Sequence, residues 1–344
     1  MKKFISRREG MVALFTILMV IAAMVIRPNQ IHRTHNDDVV THPRLFPDLS
    51  ASLESIDQIR LEHTDSKVTM ARTEHGIWAI EQMHGFPASE PMIRALMLLL
   101  TQSEIRAPKT SDPQRYADLG LDEEHAVRLQ LMHGTTIVHD IWIGNLNRDR
   151  SATYVRHEGQ AEALLVSGRL ETKPNVADWA DRSMFSINAA RIAAIRYQFS
   201  EGQNYQFSRL RSTERLALLP QPDDGRKERE HRPLDPAVFF ERILFTDVLP
   251  ASKVFGTTPD VLYVTTFDGL LLTIYFHTIN DAVWARFHAD ADPDIRDESQ
   301  PNIKPILEVA EEAQAINERT RDWLYALGNF QLEQFRRPYD AYVE

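Results

Sequence analysis

Cysteine is absent from all 344 residues. Disulfides, thiolate metal centres and cysteine nucleophiles are therefore excluded. The strings that announce common catalytic and nucleotide chemistries are missing too. There is no Gly-x-Ser-x-Gly elbow, no His-Glu-x-x-His, no Gly-x-x-x-x-Gly-Lys and no Gly-x-Gly-x-x-Gly. Carboxylates are plentiful, but none stands out as half of a glycosidase-type pair. A surplus of positive charge is lacking as well. Lys and Arg total 39 against 49 Asp and Glu, a net charge of −10, a poor match for nucleic acid or for peripheral binding to anionic lipid.

Long apolar runs are scarce, and the one present is informative. Residues 11–26 (MVALFTILMVIAAMVI) follow Lys2, Lys3, Arg7 and Arg8. As a helix the run spans about 24 Å at ~1.5 Å per residue, slightly less than the hydrocarbon core, and Arg8 and Arg27 can snorkel to extend it. Met11, Leu14, Phe15, Leu18, Val20, Ile21, Val25 and Ile26 supply the apolar surface of this predicted transmembrane anchor. Glu9 is the only acid up to Arg27, so residues 1–27 carry +4 and the remainder −14. The positive-inside rule keeps the N-terminus in the cytoplasm and places the acidic bulk across the inner membrane, in the periplasm of a Gram-negative cell. A cleaved signal peptide needs small residues at −3 and −1 of its site. Ala22 and Ala23 are adjacent and followed by more apolar residues, which favours an uncleaved, single-pass anchor. A cytoplasmic protein that buries this helix is the third reading.

Residues 28–44 are polar and aperiodic and read as a stalk. Two α+β domains of antiparallel sheet with a packed helix are expected beyond it, at 45–187 and 188–344. In the first, strands are predicted at 56–63, 67–73, 76–81, 126–132, 136–143, 153–157 and 163–166. A helix begins at Glu90-Pro91 and runs to about Gln102, and Gly120 closes a turn of helix. The second half repeats the order. Ile56-to-Leu61 reappears at Ile192-to-Tyr197, Trp78-Ala79-Ile80 at Leu216-Ala217-Leu218, and Glu90-Pro91 at Asp235-Pro236, with an apolar helix to about Leu249. Ser103 matches Ser252, His133-Gly134 matches Asp268-Gly269, Asn145 matches Asn280, Thr153-to-Arg156 matches Val283-to-Arg286, and Asp178-Trp179 matches Asp322-Trp323. This common order predicts a duplicated domain. A long amphipathic helix over 301–327, stopped by Gly328, and a last strand over 330–335 complete the second half.

Candidate sites are few. His32, His35 and His42 with Asp37 and Asp38 are metal-ligating types, but in a stalk the ordering entropy opposes a site, and a solvated linker is expected. Asp290-x-Asp292-x-Asp294 begins like a calcium loop, yet Ile295 and Pro301 stand where Gly and Glu are required. Trp78, Trp142, Trp179, Trp284 and Trp323 read as core rather than as a ligand groove. The sequence assigns no catalytic, cofactor-binding or metal residue.

The chain resembles the DUF4340 family. The resemblance rests on Leu45-Phe46-Pro47, the Ile59-Arg60-Leu61 strand, Gly76-Ile77-Trp78, Leu119-Gly120-Leu121-Asp122, Ile143-Gly144, Tyr154-Val155-Arg156 and Asp178-Trp179-Ala180-Asp181-Arg182. It covers residues 45–195 well. Members are similar to proteins encoded beside ABC-type export permeases and to gliding-motility auxiliary subunits. The resemblance implies an accessory or scaffold protein of the envelope, non-enzymatic and partnered with a transporter permease, while the apolar run adds the bilayer as partner, the acidic charge excludes nucleic acid, and no cofactor is expected. A periplasmic hydrolase of a cell-envelope polymer and a solute-binding module are the alternatives.

Overall fold

Period-two burial runs through the chain and builds two antiparallel sheets. In the computed structural model the described residues are 42–344, apart from 171, 173, 183, 220–225, 230–234 and 255–257. The predicted anchor at 11–26 and most of the stalk lie outside them. No helix among the described residues is long and apolar enough to cross a membrane.

The first sheet has nine strands in the order β4-β3-β2-β1-β6-β7-β8-β9-β5. They are β1 (Gln58–His63), β2 (Ser66–Arg72), β3 (Trp78–Ile80), β4 (Phe86–Pro87), β5 (Ile105–Thr110), β6 (Val127–His133), β7 (Thr136–Leu146), β8 (Ala152–His157) and β9 (Ala163–Ser167). The second has eight, in the order β12-β11-β10-β14-β15-β16-β17-β13. They are β10 (Ile192–Gln198), β11 (Tyr205–Ser208), β12 (Ala217–Leu219), β13 (Phe245–Pro250), β14 (Asp260–Thr266), β15 (Leu270–Ile279), β16 (Ala282–Ala291) and β17 (Trp323–Leu327). Omitting β4, the strand orders are the same: three strands, then four, with the strand that follows the third placed last. Residues 44–344 form one compact unit.

Pairing register explains which face is apolar. Ile59 and Leu61 oppose Leu131 and Leu129, which oppose His139 and Ile141, and Ile141 opposes His157. Directly paired residues share a face, so these line one side. Helix α1 (Glu90–Gln102) adds buried Ile93, Leu96, Met97 and Leu100 to the same cluster, as does the segment bearing Leu45, Phe46 and Leu49. On the opposite face Arg128 makes a bidentate pair with Asp140 at 2.9 and 2.7 Å and lies over Trp142, which Arg156 flanks on the other side.

Two family motifs meet on this sheet. Gly120 (φ +65°) ends the turn Ala117–Leu119, and that turn lies directly on Gly144 of β7. A Cβ at Gly144 would sit 2.4 Å from the Leu119 carbonyl oxygen. The Leu-Gly-Leu and Ile-Gly strings are thus two sides of one close approach of backbones.

In the second sheet, helix α2 (Ile306–Thr320) packs Val309, Ala313 and Ile316 beside β16. The Asn317 amide accepts from Ala289 N at 2.8 Å and donates to Ala289 O at 2.6 Å, sealing the part of β16 that β17 does not cover. Arg191 bridges Asp268 and Glu312 at 2.7 Å each, and Asp268 is 1 % exposed. Burial opposes the Arg191 charge, but the bonds to Glu312 and Asp268 outweigh it and hold its pKa above the ordinary value. Removing one member of such a cluster costs about 3–5 kcal/mol.

Three expectations for the second half are corrected. The predicted 301–327 helix stops at Thr320, and Trp323, Leu324 and Leu327 belong to β17, which pairs with β13. The apolar run after Asp235-Pro236 is a short 3-10 turn, Pro236–Phe240, followed by strand β13 rather than by helix. Residues 330–335 lie in helix α3 (Asn329–Phe335), with Gly328 at its start. Tertiary partners decide each case: β13 and β17 complete one another, and Gln331 of α3 accepts from Leu244 N and donates to Phe239 O and Arg242 O. The order of matches shifts accordingly. Strand β5 corresponds to β13 rather than to the residues around Ser252, and Asp178-Trp179 and Asp322-Trp323 do not occupy equivalent places.

Two outcomes follow from this packing. Gly144→Ala drives a methyl into the Leu119 carbonyl and is expected to cost about 1–3 kcal/mol in denaturant unfolding. An unchanged midpoint would contradict the close approach. Phe46 packs 4.4 Å from the His139 ring and 5.6 Å from His157. Burial lowers both histidine pKa values; His157 lowers that of His139 further, and Asp48 partly offsets it. As pH falls through the ordinary value of 6.5, the unfolded chain binds protons that the folded chain refuses, so stability declines. Exposed His125, raised by its hydrogen bond to Asp122, acts in the opposite direction. The melting temperature should fall between pH 7.5 and 5.5, and fall less in His139→Leu; equal slopes would count against this origin.

Candidate functional site

A cavity of about 830 Å³ forms an open groove at the β3–β4 end of the first sheet. The hairpin joining β2 to β3 forms one wall. Thr73 N donates to Ile77 O at 2.8 Å and Gly76 N to Thr73 O at 2.8 Å, which closes the turn and leaves Ile77 55 % exposed at the rim. Arg72 and Trp78 are directly paired across β2 and β3. Their register folds the guanidinium over the indole, 5.0 Å from its centroid, a cation–π arrangement on a buried ring.

The start of α1 makes a second wall. Ser89 O accepts from Met92 N and Ile93 N at 3.1 Å, and Glu90, Pro91 and Met92 line the cavity. The third wall is the segment 178–182. It follows the 3-10 turn Val176–Asp178 and joins the chain after β4 by one isolated bridge: Ser89 N donates to Trp179 O at 2.7 Å, Asp181 N donates to Pro87 O at 3.0 Å, and Ala88 bridges Ala180. Trp179, 4 % exposed, anchors this segment in the core. Arg182 Nε donates to Ala177 O at 2.8 Å.

Charge in the groove is mostly neutralised from within. Glu90 pairs with Arg94 at 2.6 Å and Asp178 with Arg182 at 3.6 Å. Asp181 pairs with Arg319, which comes from α2 of the second half. Among the described residues no carboxylate pairs with Arg72, so its charge is left over. The arrangement can receive a carboxylate or phosphate at the guanidinium edge, since the indole occupies only its face.

The sequence-derived candidates fall elsewhere or separate. His42 is exposed, and His32, His35, Asp37 and Asp38 lie outside the described residues. Asp290 pairs with His288 at 3.0 Å, whereas Asp292 accepts from Asp294 N at 2.8 Å and caps the turn Pro293–Ile295. The three aspartates do not gather ligand atoms. Trp78, Trp179 and Trp284 are buried core, while Trp142 and Trp323 are half-buried. Trp78 thus serves both as core and as groove floor.

One cluster was missed by sequence reasoning. Asp122, Glu124 and His125 bring ligand atoms within 4.8 Å of one another. Its close contact is an internal ion pair, His125 Nδ1 to Asp122 Oδ2 at 2.7 Å. That bond lowers the Asp122 pKa and raises that of His125. The run Asp122-Glu123-Glu124-His125 was the available signal. A narrower cavity of about 430 Å³ beside it runs from Glu62 and His63 to Arg128 and Trp142.

No curated protein and no solved structure matches the chain. A family match does exist, starting at Trp78 on the groove floor, crossing the segment 178–182 and running past β13 into the second half. It begins later than Leu45-Phe46-Pro47 and extends further than the resemblance read from the sequence. The family is described as "Domain of unknown function (DUF4340)", its match covers residues 78–257, just over half of the chain, and the chain belongs to it.

Proposed function

We propose that the chain is a membrane-tethered, extracytoplasmic accessory protein that holds a partner in the Arg72–Trp78 groove and performs no catalysis itself. One observation carries this reading: the cavity at the β3–β4 end is an open groove whose carboxylates are already engaged by Arg94, Arg182 and Arg319. Carboxylates held as ion-pair partners are poorly suited to proton transfer, which needs a group free to exchange its proton. An open, preformed groove with one unspent cation suits recognition.

The setting is inferred from the sequence. The apolar run 11–26 acts as an uncleaved anchor behind a basic N-terminus, and residues 28–44 act as a stalk holding the acidic remainder outside the cytoplasm. The shared strand order of the sheets is what a duplication followed by insertion of α2 between β16 and β17 would leave. The similarity of family members to proteins encoded beside export permeases makes a subunit of an ABC-type transport complex the expected partner.

Two measurements test this. Alkaline phosphatase fused after Glu344 should be active in intact cells; an inactive, stable fusion would contradict the tether. Affinity purification of the full-length protein from membranes in mild detergent should recover an integral-membrane transport subunit in near-stoichiometric amount. Recovery of the protein alone would contradict the accessory role.

A further inference from the structure

Ala180 sits in the wall of the groove, 3 % exposed. Each trans peptide unit points its C=O and its N–H in opposite directions. The C=O of Trp179 and the N–H of Asp181 are bonded to Ser89 N and Pro87 O. The N–H and C=O of Ala180 therefore face the other way, and they form no hydrogen bond with any described residue. Buried backbone groups are nearly always paired, and an unpaired N–H and C=O on one residue form the repeat unit of a sheet edge.

We propose that the groove takes an extended acidic peptide segment of a partner protein, lying beside Ala180. Its backbone bonds to Ala180, and a carboxylate side chain meets the guanidinium of Arg72. The inference rests on the binding reading above and names the ligand class. Two separate observations support it. The unpaired backbone groups of Ala180 select a peptide main chain over a glycan or a free anion. The charge left on Arg72, after every carboxylate in the groove has found an arginine, selects the sign of the side chain. Ile77 at the rim and Met92 in the wall offer an apolar surface to the residue next to that carboxylate. The cavity volume of about 830 Å³ is ample for a few extended residues.

The test is fluorescence anisotropy with the full-length protein in detergent. The probe is a fluorescein-labelled hexapeptide of alternating glutamate and leucine, and the comparison peptide has lysine in place of glutamate. The glutamate peptide should bind, the lysine peptide should not, and Arg72→Gln should weaken binding about tenfold or more, as expected for loss of a charge-assisted pair. Backbone N-methylation of the glutamate peptide should weaken it comparably, which an electrostatic contact alone would not do. Arg72 is exposed and lies at a strand end, so the variant should keep the wild-type melting temperature, checked on the same sample. Equal binding of both peptides, no effect of Arg72→Gln, or no effect of N-methylation would overturn the proposal. So would displacement of the peptide by inorganic phosphate or by an oligouronate at equal carboxylate concentration, which would assign the site to a free anion or a glycan. Loss of peptide binding without loss of the co-purified transport subunit would sink this inference and leave the accessory role standing.

Discussion

The seam between the two sheets is the constraint on which the groove depends. Phe86 of β4 meets Phe245 at 5.4 Å, Trp323 at 5.0 Å and Tyr325 at 6.2 Å, all edge-on. Phe245 and Phe287 in turn meet Tyr325 at 5.2 and 5.7 Å, and Phe185 of the connecting segment meets Phe287 at 5.3 Å. Each such pair contributes about 0.5–1.5 kcal/mol beyond its burial. The four that join the halves, three at Phe86 and one at Phe185, outweigh the half-exposed ion pair between Asp181 and Arg319, which at the surface contributes ~1 kcal/mol or less. The aromatic cluster holds the halves together, and the ion pair sets the charge of the groove.

That division of labour links fold to site. Segment 178–182 can lie along β4 only because the chain turns there from the first sheet toward the second. Phe185 and the bonds Ile187 N to Phe240 O at 2.9 Å and Ser186 Oγ to Glu241 O at 2.7 Å secure the turn. With the segment fixed, Asp181 faces Arg319 and Ala180 faces the groove. Were the halves free to separate, Asp181 would lose Arg319, and the charge balance of the groove would change.

Much of the first sheet is legible in the sequence. Alternation at 58–63 and 127–133, and Pro at the first turn of α1, specify those elements locally. The second half is less legible because its apolar spacing suits either structure. Phe239, Phe240, Ile243 and Leu244 recur as on a helix, yet Phe245 and Val248 become a strand because β17 is available to pair with them. Trp323 and Leu327 lie four apart, also a helical spacing, and the same pairing decides against it. The groove was hidden for a related reason. Gly76-Ile77-Trp78 and Asp178-Trp179-Ala180-Asp181-Arg182 were visible as strings, but the partner of Asp181 stands 138 residues away. The unspent charge of Arg72 is a sum over those pairings, which no local pattern contains.

The account stands on the two sheets behaving as one cooperative body across the aromatic seam. Differential scanning calorimetry of the full-length protein tests this most directly. A single unfolding transition with equal calorimetric and van't Hoff enthalpies is predicted for the wild type, splitting or broadening when Phe86 is replaced by alanine. Two well-separated transitions in the wild type would contradict the account, because the sheets would then be independent and Arg319 would not be held against Asp181 in the third wall of the groove.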